Sequence, residues 1–234
     1  MISEMFAHGF IQRAFIGGVL VSLCAALLGV SLVLKRYSMI GDGLSHVSFG
    51  ALSIAIAFGF APIKFSIPIV IIAAFFLLRL AENGKMKSDA AIAMVSASSL
   101  AIGVIVTSLT TGLSTDVCSY MFGSILAMSK DDVIFSVVLS VVVLIMFGFC
   151  YHRIFAVTFD ESFSKATGVK VGMYNTLISI FTAVTVVLGI KMMGAMLISS
   201  LIIFPALTSM RVFKSFLSVT ICSAILAAAI PGMY

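Results

Sequence analysis

Apolar runs of about 20 residues follow one another from end to end of this chain, each long enough to cross a bilayer as a helix. They predict membrane helices over 14–34, 39–59, 62–81, 88–109, 132–151, 173–190, 192–210 and 212–230. In lipid, only helices and closed barrels satisfy the backbone. Long unbroken runs, rather than ten-residue alternating segments, select helices. The expected fold is all-α, a polytopic transmembrane bundle of about eight membrane helices forming one domain over 1–234. Residues 1–13 read as a short interfacial segment in which Glu4, His8 and Arg13 are interspersed among apolar neighbours.

Composition agrees with that pattern. Hydrophobic residues make up 62% and charged residues 10% of the chain, against about 25% charged in a soluble domain. The N-terminal stretch MISEMFAHGFIQRAF has no basic leader region or clear cleavage site, so no removable signal peptide is expected. Cys24, Cys118, Cys150 and Cys222 show no CxxC spacing. They read as small apolar residues rather than a disulfide framework or zinc knuckle. No basic patch interleaved with aromatics appears, which removes nucleic acid as a partner.

Lysine and arginine set the orientation. Lys35, Arg36, Arg79, Lys85, Lys87, Arg153, Lys165, Lys170, Arg211 and Lys214 fall on one side, and Arg13, Lys64, Lys130 and Lys191 on the other. The first side is therefore read as cytoplasmic, with both termini outward. Tyr37, Tyr120, Tyr151, Tyr174 and Tyr234 fall at or near span ends, as interfacial anchors do. The loops are short and hold no GxxxxGK[ST] phosphate loop. If transport is ATP-driven, another polypeptide binds the nucleotide.

GDGLSHVSFG, residues 41–50, places Asp42 and His46 four apart, on one helix face and about 6 Å apart along the axis. Ionisable groups within a span are costly and usually face a cavity or a partner. A carboxylate with a neutral imidazole suits a borderline divalent cation. Gly41, Gly43, Ser45, Ser48 and Gly50 keep the surroundings small. The plainer readings are a structural Asp–His hydrogen bond or a helix cap at Asp42, and spacing alone leaves these open.

TFDESFSKATGVKVG, 158–172, predicts a short amphipathic helix over 158–170. Thr158 and Glu161 have capping-box spacing. Phe159, Phe163 and Ala166 recur at helical intervals, and Gly168 is a natural stop. Its apolar face suits a partner's groove, the membrane surface or the chain's own bundle. Pro205 interrupts a third stretch, 194–211, where Ser199, Ser200, Thr208 and Ser209 are placed to satisfy freed backbone groups. His8 and His152 read as interfacial, Asp89 as a helix N-terminal acid, and Asp116, Asp131 and Asp132 as solvated surface.

Four stretches in order carry a family resemblance. KRYSMIGDGLSHVSFGALSIA (35–55) resembles the region after the first span in permease subunits of the zinc/manganese/iron ABC importers, where two basic residues precede a GDALSHA-like core. MFGSILAMSKDDV (121–133), FDESFSKATGVKVG (159–172) and MGAMLISSLIIFPALTS (193–209) look like the same family. The resemblance implies a plasma-membrane, multi-pass permease without its own nucleotide site or a permanently bound cofactor. It implies transport of Zn, Mn or Fe ions, with Asp42 and His46 on the metal path. Implied partners are a cytoplasmic ABC ATPase that binds the ATP, an extracytoplasmic metal-binding protein, a second permease copy and membrane lipid. The 158–170 coupling helix would meet the ATPase through Phe159, Asp160, Glu161, Phe163, Ala166 and Gly168. Relatives usually continue past AAAIPGMY with another apolar segment, so a C-terminus shortened relative to them is expected, leaving a packing face open. The rival readings are a permease for a siderophore- or corrinoid-type metal chelate, a membrane-embedded metal-dependent enzyme, and a nonfunctional truncated copy. A single Asp/His pair suits zinc, manganese and iron alike.

Overall fold

Long apolar stretches become helices because their backbone groups can be satisfied within the segment itself. The computed structural model describes residues 9–37, 39–82, 88–110, 123 and 130–229. Nine helices occur among them: α1 (Gly9–Leu34), α2 (Met39–Ala57), α3 (Pro62–Glu82), α4 (Ser88–Leu109), α5 (Lys130–Phe159), α6 (Glu161–Ala166), α7 (Val171–Met193), α8 (Ala195–Val212) and α9 (Phe216–Ala229). The protein is an all-α multi-pass membrane bundle. Seven helices, α1 to α5 with α7 and α8, are long and apolar enough to cross a bilayer.

The eighth expected span begins later than its sequence suggests. Phe213 is extended at the end of α8, and α9 starts at Phe216 and covers 14 residues. The fifth span runs the other way, continuing through Tyr151 to Phe159. The reason is packing: Ile154 and Val157 are fully buried on its extension. Tyr151 therefore lies inside the helix rather than at its end. Its ring sits 5.6 Å from that of Phe216. Residues 9–13, expected in a separate interfacial segment, continue α1. Residues 1–8, including His8, together with Asp116, Cys118, Tyr120 and Tyr234, lie outside the described residues.

The centre of the bundle is built from α7, α2 and α1, the most buried of the seven spans. Ala183–Ile190 of α7 is buried throughout. Small residues bring the helices together. A Cβ at Gly50 in α2 would stand 2.8 Å from the Ser99 carbonyl oxygen of α4, and one at Gly103 in α4 would stand 2.6 Å from the Phe49 ring. By contrast, α4 is the least buried span. Its Met94, Ile102, Val104, Ile105 and Leu109 are exposed, as lipid-facing residues would be.

Candidate functional site

Asp42 is the fourth residue of α2, inside its first turn rather than at a cap position, and His46 follows one turn later. Around them Gly41, Gly43, Leu44, Ser45, Val47 and Ser48 are all buried. Ser45 turns back to donate to the Asp42 carbonyl at 2.7 Å. The two ionisable side chains stay open in this otherwise buried stretch, at 45% exposure for Asp42 and 29% for His46. His46 Nε2 and Asp42 Oδ2 are 3.8 Å apart. That exceeds hydrogen-bond distance and falls within ion-pair range, and Asp42 lies inside the first turn of α2 rather than at its N-cap. The pair offers one hard oxygen and one borderline nitrogen, separated enough to share a third atom. No group of three His, Cys, Asp or Glu that could hold a metal occurs among the described residues. A groove of about 700 Å³ between α3 and α7, lined by Phe75, Arg79, Gly172, Met173 and others, includes neither residue of the pair.

A short helix forms within this stretch but over Glu161–Ala166 rather than 158–170, and it is capped differently. Asp160 is the N-cap, its carboxylate accepting the Phe163 N–H at 2.9 Å. Thr158 instead donates to the Ile154 carbonyl at 2.6 Å within α5, the i−4 back-bond open to a threonine in a continuing helix. Gly168 ends α6 at φ +80, with its N–H on Lys165 O and the Val169 N–H on Ser164 O. This is the paired-bond stop that favours glycine.

The six residues named for partner contact divide by role. Phe163, Ala166, Asp160 and Gly168 are exposed. Phe159 is exposed too, with its ring 4.8 Å from Phe155 and 5.9 Å from Phe216. Glu161 turns inward. Its Oε1 accepts from Lys35 Nζ at 2.8 Å and from Asn175 Nδ2 at 3.2 Å. Lys35 also donates to Asn175 Oδ1. Partial burial pushes the Glu161 carboxyl up. The hydrogen bonds from Lys35 and Asn175 and the charges of Lys35 and Lys165 outweigh that and hold it below the usual carboxylate range. Sequence reasoning missed Lys35 and Asn175 as partners of this helix.

Two lesser expectations change. Asp132, read as solvated surface, pairs with Lys191 at 2.8 Å, joining the start of α5 to the end of α7. Asp131 is exposed as expected. Ser199, Ser200 and Ser209 donate to Ala195, Met196 and Pro205 carbonyls respectively. None of these is the Leu201 carbonyl that Pro205 frees by lacking an N–H.

Fold and site together define a multi-pass membrane protein that opens an ionisable pair in one of its most buried helices. The ABC 3 transport family model matches residues 7–233, and the chain belongs to that family. Among its relatives, the high-affinity zinc uptake system membrane protein ZnuB of Buchnera aphidicola subsp. Acyrthosiphon pisum is 32% identical, covering 83% of this chain and 75% of that protein. The manganese import system permease protein ScaB of Streptococcus gordonii is 28% identical, covering 94% of this chain and 78% of that protein. A chain of PsaBC from Streptococcus pneumoniae, solved in complex with Fab, superposes with a TM-score of 0.85. It is 27% identical, covering 98% of this chain and 84% of that one.

Proposed function

We propose that this chain is the membrane permease subunit of an ATP-driven importer of divalent transition-metal ions, zinc, manganese or iron. The carrying observation is the opening of α2 at Asp42 and His46 amid buried neighbours. Ionisable groups within a span usually face a cavity or a partner, and the pair's donor chemistry suits those cations. The family membership and the zinc and manganese names of its relatives support the same reading.

One chain supplies two ligands, whereas such cations take four or more. Two permease copies related by a two-fold axis would bring two Asp42–His46 pairs to a common passage, with water completing the shell. Asp42 supplies charge that helps strip the ion's water. His46 supplies a softer donor that keeps the ion from binding too tightly to leave. An extracytoplasmic metal-binding protein delivers the ion. A separate cytoplasmic ATPase binds ATP and receives the exposed Phe163 and Ala166 of α6 in a groove.

Growth of a metal-importer-deficient cell on limiting zinc or manganese tests this. The chain, expressed with its ATPase and binding protein, is expected to restore growth, and His46→Ala or Asp42→Asn to fail at equal membrane abundance. Equal rescue by His46→Ala would remove the ligand role. No rescue by the unaltered complex on either metal or on iron would remove the import role.

A further inference from the structure

Lys35 is a cation at 6% exposure, and a charge so enclosed persists only if paired and hydrogen-bonded. Its ammonium reaches Glu161, the first residue of α6, and Asn175 on α7. One side chain thus ties the end of α1 to two elements more than 120 residues away in sequence. Resting on the proposed import function, we infer that Lys35 is a positioning residue that transmits movement of α6 to the helix bearing Asp42 and His46.

The residues after Lys35 are tied back onto α1. The Arg36 N–H bonds Val33 O at 3.1 Å and the Tyr37 N–H bonds Leu32 O at 2.8 Å. These are the two bonds of a Schellman stop. Arg36 takes the left-handed position usually given to glycine, at φ +62, a conformation uncommon for a residue with a Cβ. The Ile40 N–H then bonds Tyr37 O at 3.0 Å, which ties Tyr37 to the first turn of α2, where Asp42 lies.

The other end of the linkage suits the load. With six residues and one turn's worth of internal bonds, α6 has little rigidity of its own. Its outer side chains, Phe163 and Ala166, are exposed. Its Glu161 carboxylate is held by Lys35 and Asn175. A push on Phe163 reaches Lys35 through that carboxylate, and α2 through Tyr37. A second branch runs through Asn175 into α7, the most buried span.

The test uses the permease–ATPase complex, with the four native cysteines replaced by alanine and Met39→Cys added. Met39 opens α2 and is 48% exposed. Trapping with ATP and vanadate is expected to change maleimide labelling at that cysteine at least about fivefold, the lower edge of ordinary inter-site coupling. Lys35→Met and Glu161→Gln are each expected to abolish the change while the ATPase still co-purifies and hydrolyses ATP. The swap Lys35→Glu with Glu161→Lys is expected to restore it. Should Lys35→Met fail to assemble, the near-isosteric Glu161→Gln decides alone.

A labelling change that persists in Glu161→Gln, one never seen in the unaltered latch, or one the assembled swap fails to restore would overturn the inference. Uptake of Mn(II) and Zn(II) per ATP in proteoliposomes separates the two claims. Loss of the labelling change in a complex that moves neither metal leaves the latch and removes import. Unaltered labelling and uptake per ATP in the variants leave import and remove the latch.

Discussion

Gly29 of α1 lies directly against the backbone carbonyl of Ile202 in α8, leaving no room for a Cβ. The Ile202 side chain meanwhile reaches Gly41 of α2, where a Cβ would stand 2.9 Å from its Cδ1 atom. One residue of α8 is thus seated against two helices through two glycines. A carbonyl cannot rotate away, whereas an isoleucine tip can. Gly29→Ala is therefore expected to destabilise by ~3 kcal/mol, the top of the overpacking range, and Gly41→Ala by ~1 kcal/mol. Gly148→Ala, on an exposed surface with nothing nearby, should be neutral or mildly stabilising. Thermal midpoints of the purified protein in detergent give the ranking. Equal midpoints for the Gly29 and Gly148 variants would contradict this packing.

The Glu161 network predicts an acid-side transition at α6. The native carboxyl is held below its ordinary value. Its stabilisation is therefore fully present above the unfolded value and lost as pH falls through the native one. The chain has no tryptophan, so Phe163→Trp places a single reporter on the helix. Its emission should hold steady from pH 8 to about 5 and shift only below about 4.3, the ordinary glutamate value. With Lys35→Met added, the burial effect remains and its main opponent is gone, so the shift should begin at a higher pH. A transition that Lys35→Met leaves in place would show that the pair does not hold α6.

Asp42 and His46 predict a shared loss on either truncation. If both donors touch the same ion, removing one weakens metal binding about tenfold or more, ~1.4 kcal/mol, and removing the second adds less than the first because a common ligand couples them. Competition of Mn(II) or Zn(II) with a metallochromic dye, for the purified complex carrying His46→Ala, Asp42→Asn or both, reads this directly. Losses that simply add would place the residues on separate ions or at separate steps.

What was legible in the sequence was what local chemistry encodes. Apolar length located the helices. The i, i+4 spacing put Asp42 and His46 on one face of α2, and Gly168 marked the end of α6. What was not legible depended on distant packing. Tyr151, His152 and Arg153 look like a membrane margin, but buried Ile154 and Val157 carry α5 past them. Thr158 has a capping residue's chemistry, yet inside a continuing helix its hydroxyl takes the carbonyl behind it, leaving the cap to Asp160. The pairing of Lys35 with Glu161 spans 126 residues, and no local pattern announces it. The exposure of the Asp42–His46 pair likewise follows from how α4 and α8 cover its glycine neighbours.

The remaining prediction concerns Asp132 and Lys191, which join α5 and α7 at the end of α7 away from Asn175. Lys191 is 10% exposed and Asp132 32%, so the pair lies between the surface and buried limits. Exposed pairs contribute up to about 1 kcal/mol, and breaking an enclosed one costs about 3–5 kcal/mol because a charge is left alone. Lys191→Met, which strands the Asp132 carboxylate, should therefore destabilise more than Lys191→Met combined with Asp132→Asn. The coupling in a double-mutant cycle should be ~1–3 kcal/mol. Because Lys191 is mostly enclosed, 1 M salt should remove less than half of that coupling, whereas a fully exposed pair would lose nearly all of it. A cycle that closes with zero coupling would show that the two helices are held by apolar packing alone.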